Sequence, residues 1–430
     1  MMKTTSSGLL LAIAIAAGFS TTVRAQAPAG RKASADRIMA DVTWLGADAR
    51  QGRGVGTAGL DSAAAYIARE FQKAGLQGGG SGGYFQSFAM DAQAPALAHC
   101  GIKSTTIKNV VGISPGKGKL AGQTIVIGAH YDGLGMGGCG SLEPDSTNVV
   151  HNGADDNASG TAGVMEVARL LRERTASAAD RRTIVFVAFT GEELGILGSS
   201  YYVSNAPRPI DSTNAMLNLD MVGRMQNNRL DAMGTLTAVE LNAVLDSVNA
   251  TYKLALSAGG DGYGSSDHAA FAMARVPVLH FFTGIHTDYH RTTDDAQKIN
   301  PAGEATVTAF IADVAWKLAT RATPLTYVLI PMAQTTGTGT GYGSASLGTL
   351  PDMASPPGGV RIQGVRPGSA AELAGLKAGD VLVRLGKHET PDLQEMTKAL
   401  QEHQPGDTVD VVFKRNDVRI TVKAVLQKRG

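Results

Sequence analysis

Short apolar runs alternate with helix-like patterns over the first three quarters of the chain. Three of these runs are nearly continuous in hydrophobicity, at 123–129, 183–190 and 215–220. Strands of this kind are buried on both faces, as the central strands of a mostly parallel sheet are. Helical spacing that would cover those faces occurs at 61–76, 161–174 and 304–318. Residues 33–323 are therefore predicted to form an α/β domain.

The pattern changes after residue 323. Residues 324–342 end in a run of threonine and glycine that cannot bury enough apolar surface to fold alone, so they are predicted to be a linker. Residues 343–430 then show a strand at 380–385, a helix at 392–403 and two strands that flank Asn416 and Asp417. In the last strand apolar and polar residues alternate, which indicates an antiparallel strand with one solvated face. The second unit is predicted to be a small α+β domain.

Composition and charge exclude several classes of protein. The chain has 430 residues, 43% of them hydrophobic, and 39 Lys+Arg balance 38 Asp+Glu. This balance argues against a disordered acidic protein and against a nucleic-acid partner. The 53 glycines exceed an average share and suit tight loops around a site.

The N-terminus has the pattern of a secretory signal peptide. Lys3 precedes an apolar stretch at 9–19, and a small-x-small pattern ends at Ala25. Eleven apolar residues are too few to cross a bilayer, so residues 1–25 are predicted to be cleaved, and an uncleaved anchor is the alternative. The mature protein is expected to be exported, periplasmic or extracellular, without a membrane span.

The two cysteines, Cys100 and Cys139, are expected to form a disulfide, because export permits pairing. Two free thiols are the alternative. Neither residue lies in a Cys-x-x-Cys motif, so cysteine ligation of a metal is not expected.

Polar residues follow the predicted strands, at the sheet edge where open α/β sheets bind ligands. They lie in five segments: 130–132, 153–160, 191–193, Asp220 and 286–290. Histidines and carboxylates without cysteine form a set of nitrogen and oxygen ligands that suits zinc, manganese or cobalt. Burial of so many carboxylates without a cation would cost several kcal/mol for each one.

Five motifs in order resemble those of the secreted di-zinc aminopeptidases, whose relatives include glutamate carboxypeptidase and glutaminyl cyclase. The motifs are GAHYDG, GADDNASG, FTGEELG, NLDMVG and TGIHTDYH, which begin at residues 128, 153, 189, 218 and 283. The resemblance covers most of residues 33–320. It implies a zinc-exopeptidase type of fold, a mostly parallel mixed sheet flanked by helices.

The resemblance also implies a site for two divalent metal ions, with zinc expected. One ion would be held by His130, Asp156 and Asp220. The other would be held by Glu193 and His290, with Asp156 bridging both ions. Asp155 would be a neighbour rather than a ligand.

The remaining roles concern catalysis. Glu192 would be the general base for a hydroxide that bridges the two metals. Tyr289 would donate to the oxyanion, with loop packing as its alternative. Asp132 would orient the imidazole of His130, with a turn residue as its alternative. The adjacent residues Ser266, Asp267 and His268 are not expected to form a catalytic triad, and His151 and His286 are assigned no role.

Residues 343–427 resemble a PDZ domain of the bacterial secreted type, with a small α+β, β-barrel-like fold. The resemblance rests on residues 364–386 and on a segment like the carboxylate-binding loop, at Leu347, Gly348, Thr349 and Leu350. It implies binding of a C-terminal peptide, which adds a strand to the domain. A domain that only packs on the first unit is the alternative.

Together these features predict an exported, zinc-dependent exopeptidase that removes the N-terminal residue of peptides with a free N-terminus. A carboxypeptidase or a glutaminyl cyclase on the same scaffold remains an alternative, because metal ligands do not determine which end of a peptide is recognised. A non-catalytic protein that binds peptides through its PDZ domain is the alternative from another class.

Overall fold

The computed structural model describes residues 1–2, 33–90, 102–143, 146–329, 345–351, 358–365, 368–377, 379–391 and 393–428. From residue 33 onward these residues belong to one unit, Arg31–Gly430. Most of the expected signal peptide, most of the expected linker and Cys100 lie outside the described residues. In the part of the chain that is described, no helix has the length and hydrophobicity that a bilayer crossing requires.

Some helices of the first domain begin where the sequence supplies a side-chain cap. The helices of this domain are α1 Ala35–Leu45, α2 Ala58–Lys73, α3 Gly160–Ser177, α4 Leu197–Ser204, α5 Leu241–Tyr252, α6 His268–Met273 and α7 Pro301–Thr320. The side chains of Ser34, Thr57 and Asn300 accept hydrogen bonds from backbone N–H groups in the first turns of α1, α2 and α7. These bonds satisfy amides that have no partner within the helix.

A nine-stranded mixed sheet forms the centre of the first domain. Its strands are β1 Gln77–Gly78, β2 Phe85–Met90, β3 Thr105–Ser114, β4 Thr124–His130, β5 Thr183–Phe189, β6 Thr213–Leu219, β7 Arg229–Met233, β8 Ala255–Gly259 and β9 Val278–Phe282. Their order is β1-β3-β5-β4-β6-β9-β7-β8, with β2 paired to β3. The neighbours β5, β4, β6 and β9 are parallel, so their carboxyl ends share one edge.

Both faces of the central strands are buried, as their continuous hydrophobicity predicts. Along β4, Ile125 and Ile127 join the core cluster that contains residues of α1, α2, α3, α5 and α7. Val126, between them, joins the cluster on the opposite face with Phe271 of α6 and Tyr202 of α4. Successive side chains of a strand point to opposite faces, so each face needs its own helical layer. The predicted α/β fold is confirmed.

The described residues of the second domain form short strands and two helices. They are β10 Ala345–Ser346, β11 Thr349–Pro351, β12 Val360–Val365, α8 Ala370–Leu373, β13 Val381–Leu385, β14 His388–Glu389, α9 Leu393–Gln401, β15 Thr408–Arg415, β16 Val418–Val425 and β17 Gln427–Lys428. β11 lies at the edge of the sheet β11-β12-β13-β15-β16. The antiparallel hairpin of β15 and β16 turns at Asn416 and Asp417, as predicted.

Candidate metal centre

Four adjacent parallel strands deliver the predicted metal ligands to one edge of the sheet. β4 ends at His130, Glu193 follows β5, Asp220 follows β6, and His290 lies in the loop after β9. Asp156 reaches the same edge from the tight turn 154–159 that leads into α3. The order of strands in the sheet therefore gathers residues that are 160 positions apart in the chain.

The five residues form two clusters that share Asp156. In the first, the Nε2 atom of His130 lies 3.3 Å from Asp156 Oδ1 and 3.5 Å from Asp220 Oδ1. In the second, the Nε2 atom of His290 lies 3.3 Å from Asp156 Oδ2 and 3.2 Å from Glu193 Oε2. Each carboxylate oxygen of Asp156 thus faces a different cluster, and each cluster offers three ligand atoms close enough to share an ion.

These separations fit ligands of a common cation better than direct hydrogen bonds. A charge-assisted N–H···O⁻ bond measures about 2.7–2.9 Å. Two ligands at bond lengths of about 2.0–2.2 Å on a tetrahedral zinc ion lie about 3.3–3.6 Å from each other. Within the described part of the chain, Glu193 Oε1 and Oε2, Asp220 Oδ1 and His290 Nε2 are buried without hydrogen-bond partners. The residues present therefore fit two divalent cations.

The local field also favours cations. Burial opposes a charge on His290, but Glu193 and Asp156 outweigh it and raise the pKa of His290 to about 10. Burial raises the pKa of Glu192 well above its ordinary range; His130 opposes this shift, whereas the charges of Glu193 and Asp220 add to it. A site that stabilises positive charge and disfavours a further carboxylate charge attracts metal ions.

Backbone carbonyls orient both histidines. His130 Nδ1 lies 3.3 Å from the carbonyl oxygen of Asp132 and 3.8 Å from its carboxylate oxygen Oδ1. His290 Nδ1 lies 2.7 Å from the carbonyl oxygen of Gly140. With Nδ1 as the donor in each ring, Nε2 presents its lone pair to the ion.

Asp132 connects two elements of the site. Its carboxylate oxygens accept hydrogen bonds from the backbone N–H groups of Glu192 and Glu193, at 3.2 and 3.3 Å. The sequence predicts only a contact between this carboxylate and His130. In the structure the Asp132 carbonyl, rather than the carboxylate, lies within hydrogen-bond distance of His130 Nδ1. The carboxylate instead holds the turn after β5, which carries the expected base and an expected ligand.

Ser266 and Asp294 position two further carboxylates. Ser266 Oγ donates to Asp220 Oδ2 at 2.7 Å and accepts from Asn218 Nδ2 at 2.8 Å. Asp294 Oδ2 accepts from the backbone N–H groups of Asp155 and Asp156, both at 3.0 Å. The sequence names Ser266 only as one of three adjacent residues that are not expected to form a catalytic triad, and it gives no local signal for Asp294.

Other histidines and acids lie around the clusters. Asp155 accepts from the Gly223 N–H and Ser159 Oγ through Oδ1, and His286 Nε2 lies 3.2 Å from its Oδ2. His151 Nε2 lies 2.8 Å from Ser141 Oγ. Asp155, His286 and His151 are outside both ligand clusters, among the described residues.

Tyr289 is buried beside His290. Their rings stack with centroids 3.9 Å apart, and Tyr289 packs with Met221 and Phe282. Burial raises the pKa of Tyr289 well above its ordinary value, and the nearby carboxylates add to this shift. Its phenol therefore stays protonated and able to donate.

Arg53 is a residue of the site region that the sequence patterns do not single out. Its side chain is fully buried, and its guanidinium donates to the backbone carbonyls of Leu45, Tyr131, Asn152 and Gly153. The one local signal is the pair of glycines on either side, Gly52 and Gly54.

The structure describes one of the two cysteines of the expected disulfide. Cys139 has no free thiol, whereas Cys100 lies outside the described residues. Cys139 precedes Gly140, the residue whose carbonyl contacts His290.

Comparisons with known proteins agree with this fold. Residues 109–315 match the peptidase family M28, and residues 339–426 match the PDZ domain. The chain is 30% identical over 209 residues to the aminopeptidase YwaD of Bacillus subtilis, a stretch of 45% of this chain and 41% of that protein. It is 32% identical over 168 residues to a probable leucine aminopeptidase of Trichophyton verrucosum, 38% of this chain and 42% of that protein. The alignments thus span less than half of these relatives.

Solved structures of similar fold superimpose on about two thirds of the chain. BSAP, a zinc aminopeptidase from Bacillus subtilis, superimposes with a TM-score of 0.54 at 19% identity, over 68% of this chain and 97% of that chain. LapA aminopeptidase of Legionella pneumophila gives a TM-score of 0.51 at 18% identity, over 68% and 72%. Residues 109–315 are therefore similar to peptidase family M28 and residues 339–426 to a PDZ domain, in agreement with the resemblance that the ordered motifs indicate.

Proposed function

We propose that this protein is an aminopeptidase that uses two zinc ions, one held by His130, Asp156 and Asp220 and the other by Asp156, Glu193 and His290. The observation that carries the proposal is the pair of buried clusters that share Asp156. The family match and the names of the aminopeptidase relatives support the same reaction. Two bound divalent cations would activate water and polarise the carbonyl of the scissile peptide bond.

Glu192 is the general base in this proposal. Its Oε2 lies 4.0 Å from His130 Nε2, beside the ligands, and its Oε1 is buried without a hydrogen-bond partner in the described residues. It belongs to neither ligand cluster. With cations bound to the neighbouring carboxylates, which raise its pKa when unpaired, its own carboxylate would be ionised and available to take a proton from water and return it to the leaving amine. Asp132 holds its backbone in place for this transfer.

A substrate panel tests the proposed function. Peptides with a free N-terminus, with a blocked N-terminus and with a blocked C-terminus are assayed before chelation, after chelation and after zinc is added back. We expect hydrolysis to require a free N-terminus, to tolerate a blocked C-terminus and to return with zinc. Hydrolysis that requires a free C-terminus would indicate a carboxypeptidase, and cyclisation of N-terminal glutamine would indicate a cyclase.

Tyr289 is proposed to donate a hydrogen bond to the oxyanion that forms at the scissile carbonyl. We expect Tyr289→Phe to lower kcat about 100-fold with little change in KM, because the donor acts on charge that develops in the transition state. The phenylalanine ring keeps the stacking on His290. An unchanged kcat would reduce Tyr289 to a packing residue.

The PDZ domain is proposed to bind the C-terminus of a peptide at Leu347, Gly348, Thr349 and Leu350. β11 begins in this segment and is the edge strand of its sheet, so one side of it can pair with an added strand. Gly348 has a φ of 78°, and a Cβ atom there would lie 2.3 Å from Ser369 Cβ. Its loop therefore requires glycine.

We expect Gly348→Val to weaken binding of C-terminal peptides at least tenfold, because the loop can no longer present its N–H groups to a carboxylate. Hydrolysis of a dipeptide-sized substrate should be unchanged. The measurements are fluorescence anisotropy with a peptide library that ends in free or amidated carboxyl groups, and steady-state kinetics. Equal binding of free and amidated peptides by the unaltered protein would contradict the proposed carboxylate loop.

We also propose that the protein is exported, periplasmic or extracellular. The support is the charged start, short apolar stretch and small-x-small pattern of residues 1–25, together with two cysteines whose expected pairing suits an oxidising compartment. N-terminal sequencing of the mature protein should begin at Gln26.

A further inference from the structure

Arg53 joins two chain segments that carry metal ligands. Nε donates to the carbonyl of Tyr131 at 2.8 Å, and Tyr131 stands between His130 and Asp132. Nη1 and Nη2 donate to the carbonyls of Asn152 and Gly153, also at 2.8 Å. Gly153 lies three residues before Asp156. One planar group thus contacts the backbone next to His130 and the backbone that leads into the bridging aspartate.

The same guanidinium is anchored from a third side. Nη1 also donates to the carbonyl of Leu45 at the end of α1, at 3.0 Å. The carbonyls of Gly52 and Arg53 accept hydrogen bonds from the N–H groups of Gly135 and Gly133. A Cβ atom on Gly52 would lie 2.3 Å from the Gly135 carbonyl oxygen, so the two segments approach as closely as backbones can. Arg53 is therefore held against the loop that follows His130 and Asp132.

The conformation and the charge of Arg53 are both costly. Its φ of 49° is in the left-handed region, which is unfavourable for a residue with a side chain. Its side chain is fully buried, and burial lowers its pKa, whereas Asp132, Asp294 and Asp156 act in the opposite direction. A structure retains such a group where the surrounding contacts require it.

We propose that Arg53 is a positioning residue of the metal centre, which fixes the segment of His130 and Asp132 against the segment of Asp156 through three hydrogen bonds to backbone carbonyls. This inference rests on the proposed function, because it requires that the two clusters bind metal. Arg53 lies outside residues 109–315, so the N-terminal part of the domain contributes to the geometry of the site.

The test uses Arg182 as a matched control. Arg182 is also fully buried, and it donates to Gln123 Oε1 and to the carbonyls of Leu318 and Arg321. It directly precedes β5, at the opposite end of that strand from Glu192 and Glu193, roughly 20 Å away along the strand. Replacement of either arginine removes a buried guanidinium, but only Arg53 contacts the backbone of the metal centre.

Full-length protein and the variants Arg53→Lys and Arg182→Lys are loaded with zinc and dialysed against graded concentrations of a zinc chelator. Elemental analysis then gives the zinc retained. Lysine keeps the charge and loses the planar fork, so we expect Arg53→Lys to lower zinc affinity about 10- to 100-fold, as loss of a group that orients ligands does. Arg182→Lys should change zinc affinity less than about threefold, because Arg182 is remote from the metal centre.

Addition of free guanidinium ion to a glycine variant distinguishes a positioning role of Arg53 from general destabilisation of the protein. In Arg53→Gly the added guanidinium ion can occupy the vacated space, so millimolar guanidinium should restore part of the zinc affinity. The same addition to Arg182→Gly should leave its zinc affinity as it is. If Arg53→Gly does not fold, the comparison of the two lysine variants decides.

The outcomes are distinct. If the unaltered protein retains two zinc ions and Arg53→Lys has the same zinc affinity, the positioning role alone is overturned. Equal losses of affinity in the two lysine variants would also overturn it. Unaltered protein that retains no zinc would overturn the proposed function and this inference together.

Discussion

Glu192→Gln is expected to lower turnover at least about 100-fold, or about 2.7 kcal/mol in the activation barrier, while zinc content stays at the level of the unaltered protein. Glutamine has nearly the shape of glutamate but cannot accept a proton from water. The carboxylate lies beside the two clusters without belonging to either, so binding of the proposed metal ions would not depend on it. The measurements are kcat on a free N-terminal substrate and elemental analysis of the same samples.

Glu304→Gln provides the matched control. Glu304 in α7 is also fully buried, and neither of its carboxylate oxygens has a hydrogen-bond partner in the described residues. Burial raises the pKa of Glu304 well above its ordinary value, so the neutral glutamine is a close replacement. We expect unchanged kcat for this variant. Full turnover in zinc-loaded Glu192→Gln would show that Glu192 is not the general base. Loss of zinc from this variant would indicate that Glu192 is a metal ligand.

Asp156→Ala is expected to lose most of both zinc ions, whereas His290→Ala should lose one. The two carboxylate oxygens of Asp156 each lie 3.3 Å from a different histidine, so alanine at this position removes one ligand from each cluster. His290 belongs to the second cluster only. Elemental analysis and zinc titration of the two variants give the stoichiometries.

Asp155→Asn is the control for this pair of adjacent aspartates. Asparagine keeps an oxygen that can accept from the Gly223 N–H and from Ser159 Oγ, as Asp155 Oδ1 does. We therefore expect the turn to keep its shape and both zinc ions to stay bound. Loss of zinc in Asp155→Asn with retention in Asp156→Ala would show that the first aspartate of the pair is the ligand.

Much of the fold could be predicted from local patterns. The continuous apolar runs at 123–129 and 183–190 became β4 and β5, with shifts of a residue at their ends, because burial on both faces leaves a signal in every residue of a strand. The helix expected at 61–76 instead runs over Ala58–Lys73. Its start is determined by the cap at Thr57, a side-chain hydrogen bond that hydrophobic spacing does not reveal.

The sequence could predict which residues form the candidate site, but not which groups orient them. The motifs name His130, Asp156, Glu192, Glu193, Asp220 and His290, and the structure brings all six to one edge of the sheet. The groups that orient them, such as Asp294 and the Gly140 carbonyl, lie about 140 to 150 positions away along the chain. A backbone carbonyl carries no sequence signal, since every residue has one.

By itself, the sequence determined the two domains, the buried parallel strands and the order of the metal-ligand motifs, because each depends on residue types within a short segment. Only the tertiary structure decided that Asp156 faces both histidines, that Asp132 also holds the turn of Glu192 and Glu193, and that Arg53 joins the segments of His130 and Asp156. These relations depend on distances of a few ångströms between segments far apart in the chain. Such distances are set by the packing of the whole domain.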